Sequence, residues 1–376
     1  MQPRPRRLLG VATLAPLLFA VALAACSAET DEVSVSTEVA STESSRTTTA
    51  TPTTTATSTT TAAPTTTLLP TTTTEAVTTT TEPPPPVYPL TGLLATDPFI
   101  AALPTLVVKI DNAPGARPQS GMNEADIVVE EIVNDNLTRF ALVFQSRGAD
   151  PVGPIRSGRL QDIDLFSAFN HPLFAWSGGN RTVTDAIRSS DLVDIGPSRA
   201  AVYFRSNERK VPHNLYSNTG SLWGQAPQGS KPPSQQFSYR SVGEAVQGVP
   251  SPGALITLDS IDVEWAWDET IGLYRRTMER RIHEDALSGP VTTDNVVVLE
   301  MEYAPGISNS PDAQTIGSGR AFVFTGGRYV AATWTRSDRL APFTLTAADG
   351  ATVELTPGRT FIELPRVNKT IPRPAE

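Results

Sequence analysis

The chain has 376 residues, of which 39% are hydrophobic, with a formal net charge of −9 and a single cysteine. That balance gives no electrostatic support for a nucleic-acid role. One thiol excludes an internal disulfide.

The chain opens with an address. Arg4, Arg6 and Arg7 precede an apolar run from Leu8 to Ala25, the basic, apolar and small-residue succession of a secretory signal over residues 1–25. The sole cysteine follows in Leu23-Ala24-Ala25-Cys26, which resembles the bacterial lipobox. Read so, Cys26 is the lipidated first residue of the mature protein, and the chain is anchored at the extracytoplasmic face of the bacterial cell membrane. The competing readings are a plain signal peptide with an incidental cysteine, or an uncleaved membrane helix. With Cys26 acylated no thiol is left for catalysis. No later run is long and apolar enough to cross a bilayer.

From Cys26 to Pro86 the sequence is dominated by Thr with Ser, Pro and Ala. Too few large apolar side chains are present to offset the entropy of ordering, so a disordered tether is expected. Extended as polyproline II, it would reach about 150 to 180 Å.

Folded sequence resumes near Val87. Runs rich in β-branched residues predict strands over Thr105 to Ile110, Asp126 to Val133, Thr138 to Gln145, Leu173 to Ser177 and Ala201 to Arg205. Helices are predicted over Ser157 to Phe169 and Thr182 to Ser189, with Thr182 as N-cap of the second. This mixture predicts an α/β domain over residues 87–245. A Pro- and Gly-rich connector, with a strand near Phe237 to Arg240, leads into almost purely β signals: Val263 to Trp267, Leu273 to Met278 and Asn295 to Tyr303. Gly326-Gly327 between two apolar runs marks a tight hairpin, since glycine accepts the positive φ that such a turn needs. A second hairpin is expected around Ala348 to Ala351. Residues 246–368 thus read as a smaller antiparallel β-rich domain and 369–376 as a tail, for an α+β fold in all.

The unusual polar chemistry lies at predicted strand ends and loops. Arg117, Arg139, Arg156 and Arg159 fall there, and Arg156 and Arg159 follow Gly153-Pro154 at a predicted helix start. Guanidinium forks, free backbone amides and the helix dipole can together hold a phosphate or a carboxylate. The competing reading pairs these arginines with Asp111, Asp126, Glu130 and Glu131 in a structural network. Glu130 and Glu131 are adjacent and face opposite ways on a strand, so a two-carboxylate glycosidase would need Asp111 or Asp126 as partner. His213, in Val211-Pro212-His213-Asn214-Leu215-Tyr216, is the candidate general base, with Asn214 to orient the ring and Tyr203, Arg205 and Tyr216 as expected neighbours. Its bland alternative is a satisfied loop histidine. His283 with Glu284 and Asp285 can be read as a cation site, but the three histidines lack the spacing of a helical zinc site and no metal or cofactor is predicted. His171 reads as structural. Trp265, Trp267 and Trp334 suit either a carbohydrate-stacking face or a core. Nucleophile-elbow, penicillin-binding, P-loop and dinucleotide signatures are absent.

Several of these stretches form a set: Ile110-Asp111-Asn112, Ala116 to Gly121, Ala125 to Glu130, Thr138-Arg139-Phe140, Gly153 to Ser157, Pro212 to Tyr216, Tyr274-Arg275-Arg276, Gly319-Arg320, Thr333-Trp334 and Pro357 to Phe361. Together they resemble the YerB-like family of bacterial lipoproteins, two-domain proteins of unknown function, from about Tyr88 to Arg366. The resemblance implies an exported lipoprotein with an α/β first domain and a β-rich second one, and implies no activity. Asn134-Asp135-Asn136-Leu137 stands where that family tends to carry a Gly-rich turn. The leading functional expectation is binding of an anionic cell-envelope ligand, a cell-wall glycan or phosphate-bearing group, by Asp111, Asn112, Arg117, Glu130, Arg139, Arg156, Ser157, Arg159 and Asn214. An envelope hydrolase using His213 or an acidic pair, and a structural or partner-binding lipoprotein, are the alternatives.

Overall fold

A computed structural model describes residues 85–373 and 375, apart from 135. The signal segment, Cys26 and the tether lie outside the described residues.

In chain order the principal elements are β1 (Leu106–Asp111), β2 (Ile127–Ile132), β3 (Thr138–Phe144), α1 (Gln161–Phe166), β4 (Leu173–Ala175), α2 (Arg181–Arg188) and β5 (Val193–Asp194). They continue with β6 (Gly253–Leu258), β7 (Ile261–Asp268), β8 (Leu273–Met278), β9 (Asn295–Leu299), β10 (Gly317–Thr325) and β11 (Arg328–Arg336). Last come β12 (Thr344–Ala347), β13 (Thr360–Leu364) and β14 (Thr370–Arg373).

One long mixed sheet runs β12-β11-β10-β9-β13-β2-β3-β1-β4-β5. Strands from both halves of the sequence meet at its centre, where β13 lies parallel to both β9 and β2. A smaller antiparallel sheet, β8-β7-β6-β14, covers one face. The helices cover the other.

Burial on both faces explains why β1, β2 and β3 read as continuous apolar runs instead of alternating ones. Val108, Ile110, Phe140 and Leu142 pack with Ile256, Val263, Trp265 and Tyr274 of the small sheet. Their neighbours Val107, Val129, Ala141 and Val143 pack with Leu165, Phe166, Val183 and Ile187 of the helical layer. The layers on the two sides make this a β-rich α+β fold.

Four expectations change. The antiparallel second domain includes the parallel pairing of β9 with β13, and its strands extend the sheet of the first. Residues 370–373, expected as tail, form β14 against β6. The helix predicted from Ser157 begins at Gln161 and ends in a 3-10 turn at Ser167–Phe169. It starts late because Ile155 donates to Leu215 O at 2.6 Å and Arg156 to Lys109 O at 2.8 Å, which holds this stretch extended along β1. Finally α2 is capped by Asn180, whose Oδ1 accepts from Val183 N at 3.0 Å, and Thr182 lies inside the helix. The Gly326-Gly327 hairpin forms at the expected residues, with φ of 53° and 73°.

Candidate anion-binding site

Strand register assembles the site. Arg139 on β3 lies opposite Asp111 of β1 and Glu131 of β2, so the three residues form one row across adjacent strands on the helical face. One step along, Lys109 is fully buried and meets Glu131 at 2.5 Å and Asp162 of α1 at 2.8 Å. Burial and the neighbouring Glu131 push the Asp162 carboxyl up to about 6, against the pull of Lys109. This row fixes the floor beneath the ends of β1 and β4, which run parallel.

Beyond those carboxyl ends opens a cleft of about 370 Å³, the usual place for a ligand beside parallel strands. Arg156, Ser157 and Arg159 form one wall, Ser177 to Asn180 another, and Arg205 closes it. Asn180, the N-cap of α2, lines the same space, so the positive end of that helix lies beside the cleft. Asp111 sits at the base, 3% exposed. Its Oδ2 pairs with Arg156 Nε at 3.1 Å and hydrogen-bonds to His213 Nδ1 at 2.7 Å. The Arg156 contact has ion-pair distance without hydrogen-bond alignment at Nε, so it acts through charge alone.

Three guanidinium groups crowd one another here. Arg139 is buried behind the wall and donates to Ser157 O at 2.8 Å. Burial first, then the nearby Arg159 and Arg156, bring it down to about 10. Arg159 donates to Gly158 O and to Asn134 Oδ1, the latter at 2.5 Å. Arg205 donates to Asn214 Oδ1 at 2.8 Å. Positive charge so concentrated favours an anion in the cleft.

Of the expected ligand residues, Arg156, Ser157 and Arg159 line the cleft, while Asp111, Arg139 and Asn214 support it from beneath. Three do not belong to it. Arg117 turns away, ion-pairs with Glu279 and donates to Asn112 O. Asn112 is buried and donates to Glu130 Oε1 at 3.1 Å and Thr138 Oγ1 at 2.7 Å. Glu130 faces the small sheet, as the period-two alternation of a strand requires, and pairs there with Arg276. Arg205 and Asn180 join in their place. Gly178-Gly179-Asn180 before an amphipathic run was a legible helix-start signal, whereas nothing local marks Arg205 as part of an anion site.

The other candidates have partners of their own. His213 has Asp111 as its partner, 102 residues earlier in the chain, instead of the expected Tyr203, Arg205 or Tyr216. His283 is buried, accepts from Arg276 Nη1 at 2.8 Å on Nδ1 and donates from Nε2 to Gln119 Oε1 at 2.9 Å. Burial and the Arg276 charge hold it well below the ordinary imidazole value, and with both ring nitrogens hydrogen-bonded neither is left for a cation. Asp285 instead accepts from the backbone of Met122 and Leu287. Asp126 accepts from Gln145 N and Ser146 N, so it is a turn cap with no share in an acid pair. The carboxylate pairs that do meet, Glu130 with Glu363 beside Arg276 and Glu131 with Asp162 beside Lys109, are fully buried, out of reach of a glycan. Trp265 and Trp334 are core residues, 0% and 2% exposed.

A family model described as "Protein of unknown function (DUF3048) N-terminal domain" matches residues 90–231, and its C-terminal counterpart matches residues 256–362. The chain is 26% identical over 287 residues to a Bacillus subtilis (strain 168) protein named "Putative lipoprotein YerB", covering 73% of this chain and 85% of that one. The crystal structure of YerB from Bacillus subtilis matches with a TM-score of 0.68 at 24% identity, over 77% of this chain and 99% of the other. The chain therefore belongs to the DUF3048 family, through matches to both of its domains.

Proposed function

We propose that this protein is an exported lipoprotein, anchored through Cys26 at the outer face of the cell membrane, that binds an anionic group of a cell-envelope polymer in the arginine cleft. The signal segment and lipobox-like Cys26 support the address, as does the name of its Bacillus relative. The observation that carries the binding reading is the convergence of Arg156, Arg159, Arg205 and the N-terminus of α2 on one open cleft. A phosphate or carboxylate on a glycan fits such a set of donors. The Thr- and Pro-rich tether supports reach to material away from the lipid surface.

Titration calorimetry with inorganic phosphate tests this. Changing Arg156 and Arg205 together to alanine removes two charge-assisted contacts, each worth about 1.5–3 kcal/mol, and should weaken binding at least ~100-fold while the melting temperature hardly moves. Equal affinity in the parent and the double variant would refute the reading.

A further inference from the structure

Asp111 supports the arginine cleft, but anion capture does not call for His213 on the same carboxylate, and the geometry of that pair is that of a general base. Asp111 Oδ1 accepts from Ala113 N at 3.1 Å and Oδ2 from His213 Nδ1 at 2.7 Å, so the carboxylate is fixed by its own turn and in turn fixes the ring. A buried carboxylate on Nδ1–H selects the tautomer that leaves the Nε2 lone pair available. Among the described residues Nε2 has no hydrogen-bond partner. Gly115 packs on the ring edge, where a Cβ would stand 3.0 Å from His213 Cδ2, so glycine leaves the imidazole room to sit on Asp111.

His213 stands between two hollows. It lines one of about 440 Å³ with Gly115, Glu208, Arg209 and Lys210. The residue before it, Pro212, lines the arginine cleft. Arg156 Nε and His213 Nδ1 both lie on Asp111 Oδ2, at 3.1 and 2.7 Å, so the imidazole and a cleft arginine meet at one carboxylate. No hydroxyl of the described residues is hydrogen-bonded to His213, which leaves water as the nucleophile.

Resting on the anion-binding reading, we propose that the site hydrolyses an internal phosphodiester of a glycan or polyol polymer, with His213 as general base. Nε2 takes a proton from water as its oxygen bonds to phosphorus. The P–O bond to the leaving alkoxide breaks, and that oxygen takes the proton back from the imidazolium, giving one phosphomonoester and one alcohol. Arg156, charge-paired to the same Asp111 oxygen, is placed to neutralise the phosphoryl oxygens in the transition state. A glycoside would instead need two accessible carboxyl groups, and a neutral carboxylic ester would not use this concentration of positive charge.

The test uses the full chain and bis(p-nitrophenyl) phosphate, with p-nitrophenyl acetate as control. The parent should release nitrophenolate from the diester and not from the acetate beyond the buffer rate. His213→Gln should lose at least ~100-fold in kcat, and Asp111→Asn should also fall, while His213→Gln keeps its calorimetric affinity for phosphate. Phosphate binding without diester turnover in the parent would overturn catalysis and leave the binding reading standing. Full turnover in His213→Gln would overturn the assignment of the base. Absence of phosphate binding in the parent would sink both.

Discussion

Arg276, on β8 of the small sheet, directs its Nη2 onto Glu130 Oε2 of β2 at the centre of the long sheet, and neither side chain is exposed. The contact joins residues 146 positions apart and lies on the face opposite the anion cleft. Glu363 of β13 shares it, 3.3 Å from Arg276 Nε and 2.8 Å from Trp265 Nε1. Burial and the adjoining Glu130 push the Glu363 carboxyl well above its usual range, which favours its protonated form. Arg276 thus stands between two buried carboxyl groups of which Glu130 makes the closer contact.

That difference separates two similar substitutions. With the protonated form of Glu363 favoured, Glu363→Gln puts a neutral amide in place of a carboxyl already biased toward neutrality and should change stability by less than ~1 kcal/mol. Glu130→Gln leaves Arg276 without its anion, the kind of loss that costs about 3–5 kcal/mol. Urea denaturation of both variants at neutral pH checks the difference. Equal losses would mean that Glu363 is ionised.

Buried His283 makes stability depend on pH. Its folded value lies well below 6.5, so the folded protein keeps it neutral where the unfolded chain takes up a proton. The unfolded state binds more protons as pH falls, so this contribution is complete above about 6.5 and is lost progressively below it. The slope approaches ~1.4 kcal/mol per pH unit for one proton. His283→Gln should remove it, so the stability difference between parent and variant changes between pH 7 and 5. Parallel curves would contradict a neutral His283.

Asn180 allows cap and cleft to be tested apart. Aspartate caps a helix as well as asparagine and suits the positive end of its dipole. Asn180→Asp should therefore leave the melting temperature unchanged or slightly raised. The same carboxylate lines the arginine cleft and, on the proposed anion-binding role, should weaken phosphate binding by roughly fivefold, about 1 kcal/mol of repulsion in a solvated site. Calorimetry and thermal melts on one sample read both effects.

Local signals carried the strands well. β8 was predicted at its exact limits, and β1, β2 and β3 to within a residue or so, because continuous β-branched runs bounded by turn residues have few other outcomes. The Gly326-Gly327 turn was equally legible. What sequence could not show was any relationship between distant residues. Parallel pairing of β13 with β2 merges the two halves, and no turn between them announces it. Arg276 reads as an ordinary strand cation until Glu130 and Glu363 are seen around it. Among the arginines, the alternation that sends Glu130 and Arg139 to opposite faces was available from the sequence. The turning of Arg117 toward Glu279 and the arrival of Arg205 depend on tertiary contacts.

Diffraction from crystals of the protein grown with phosphate would locate the anion directly. The anion should lie within hydrogen-bond distance of the Arg156 and Arg205 guanidinium groups, beside the first turn of α2. Phosphate bound elsewhere with this cleft empty would contradict the assignment.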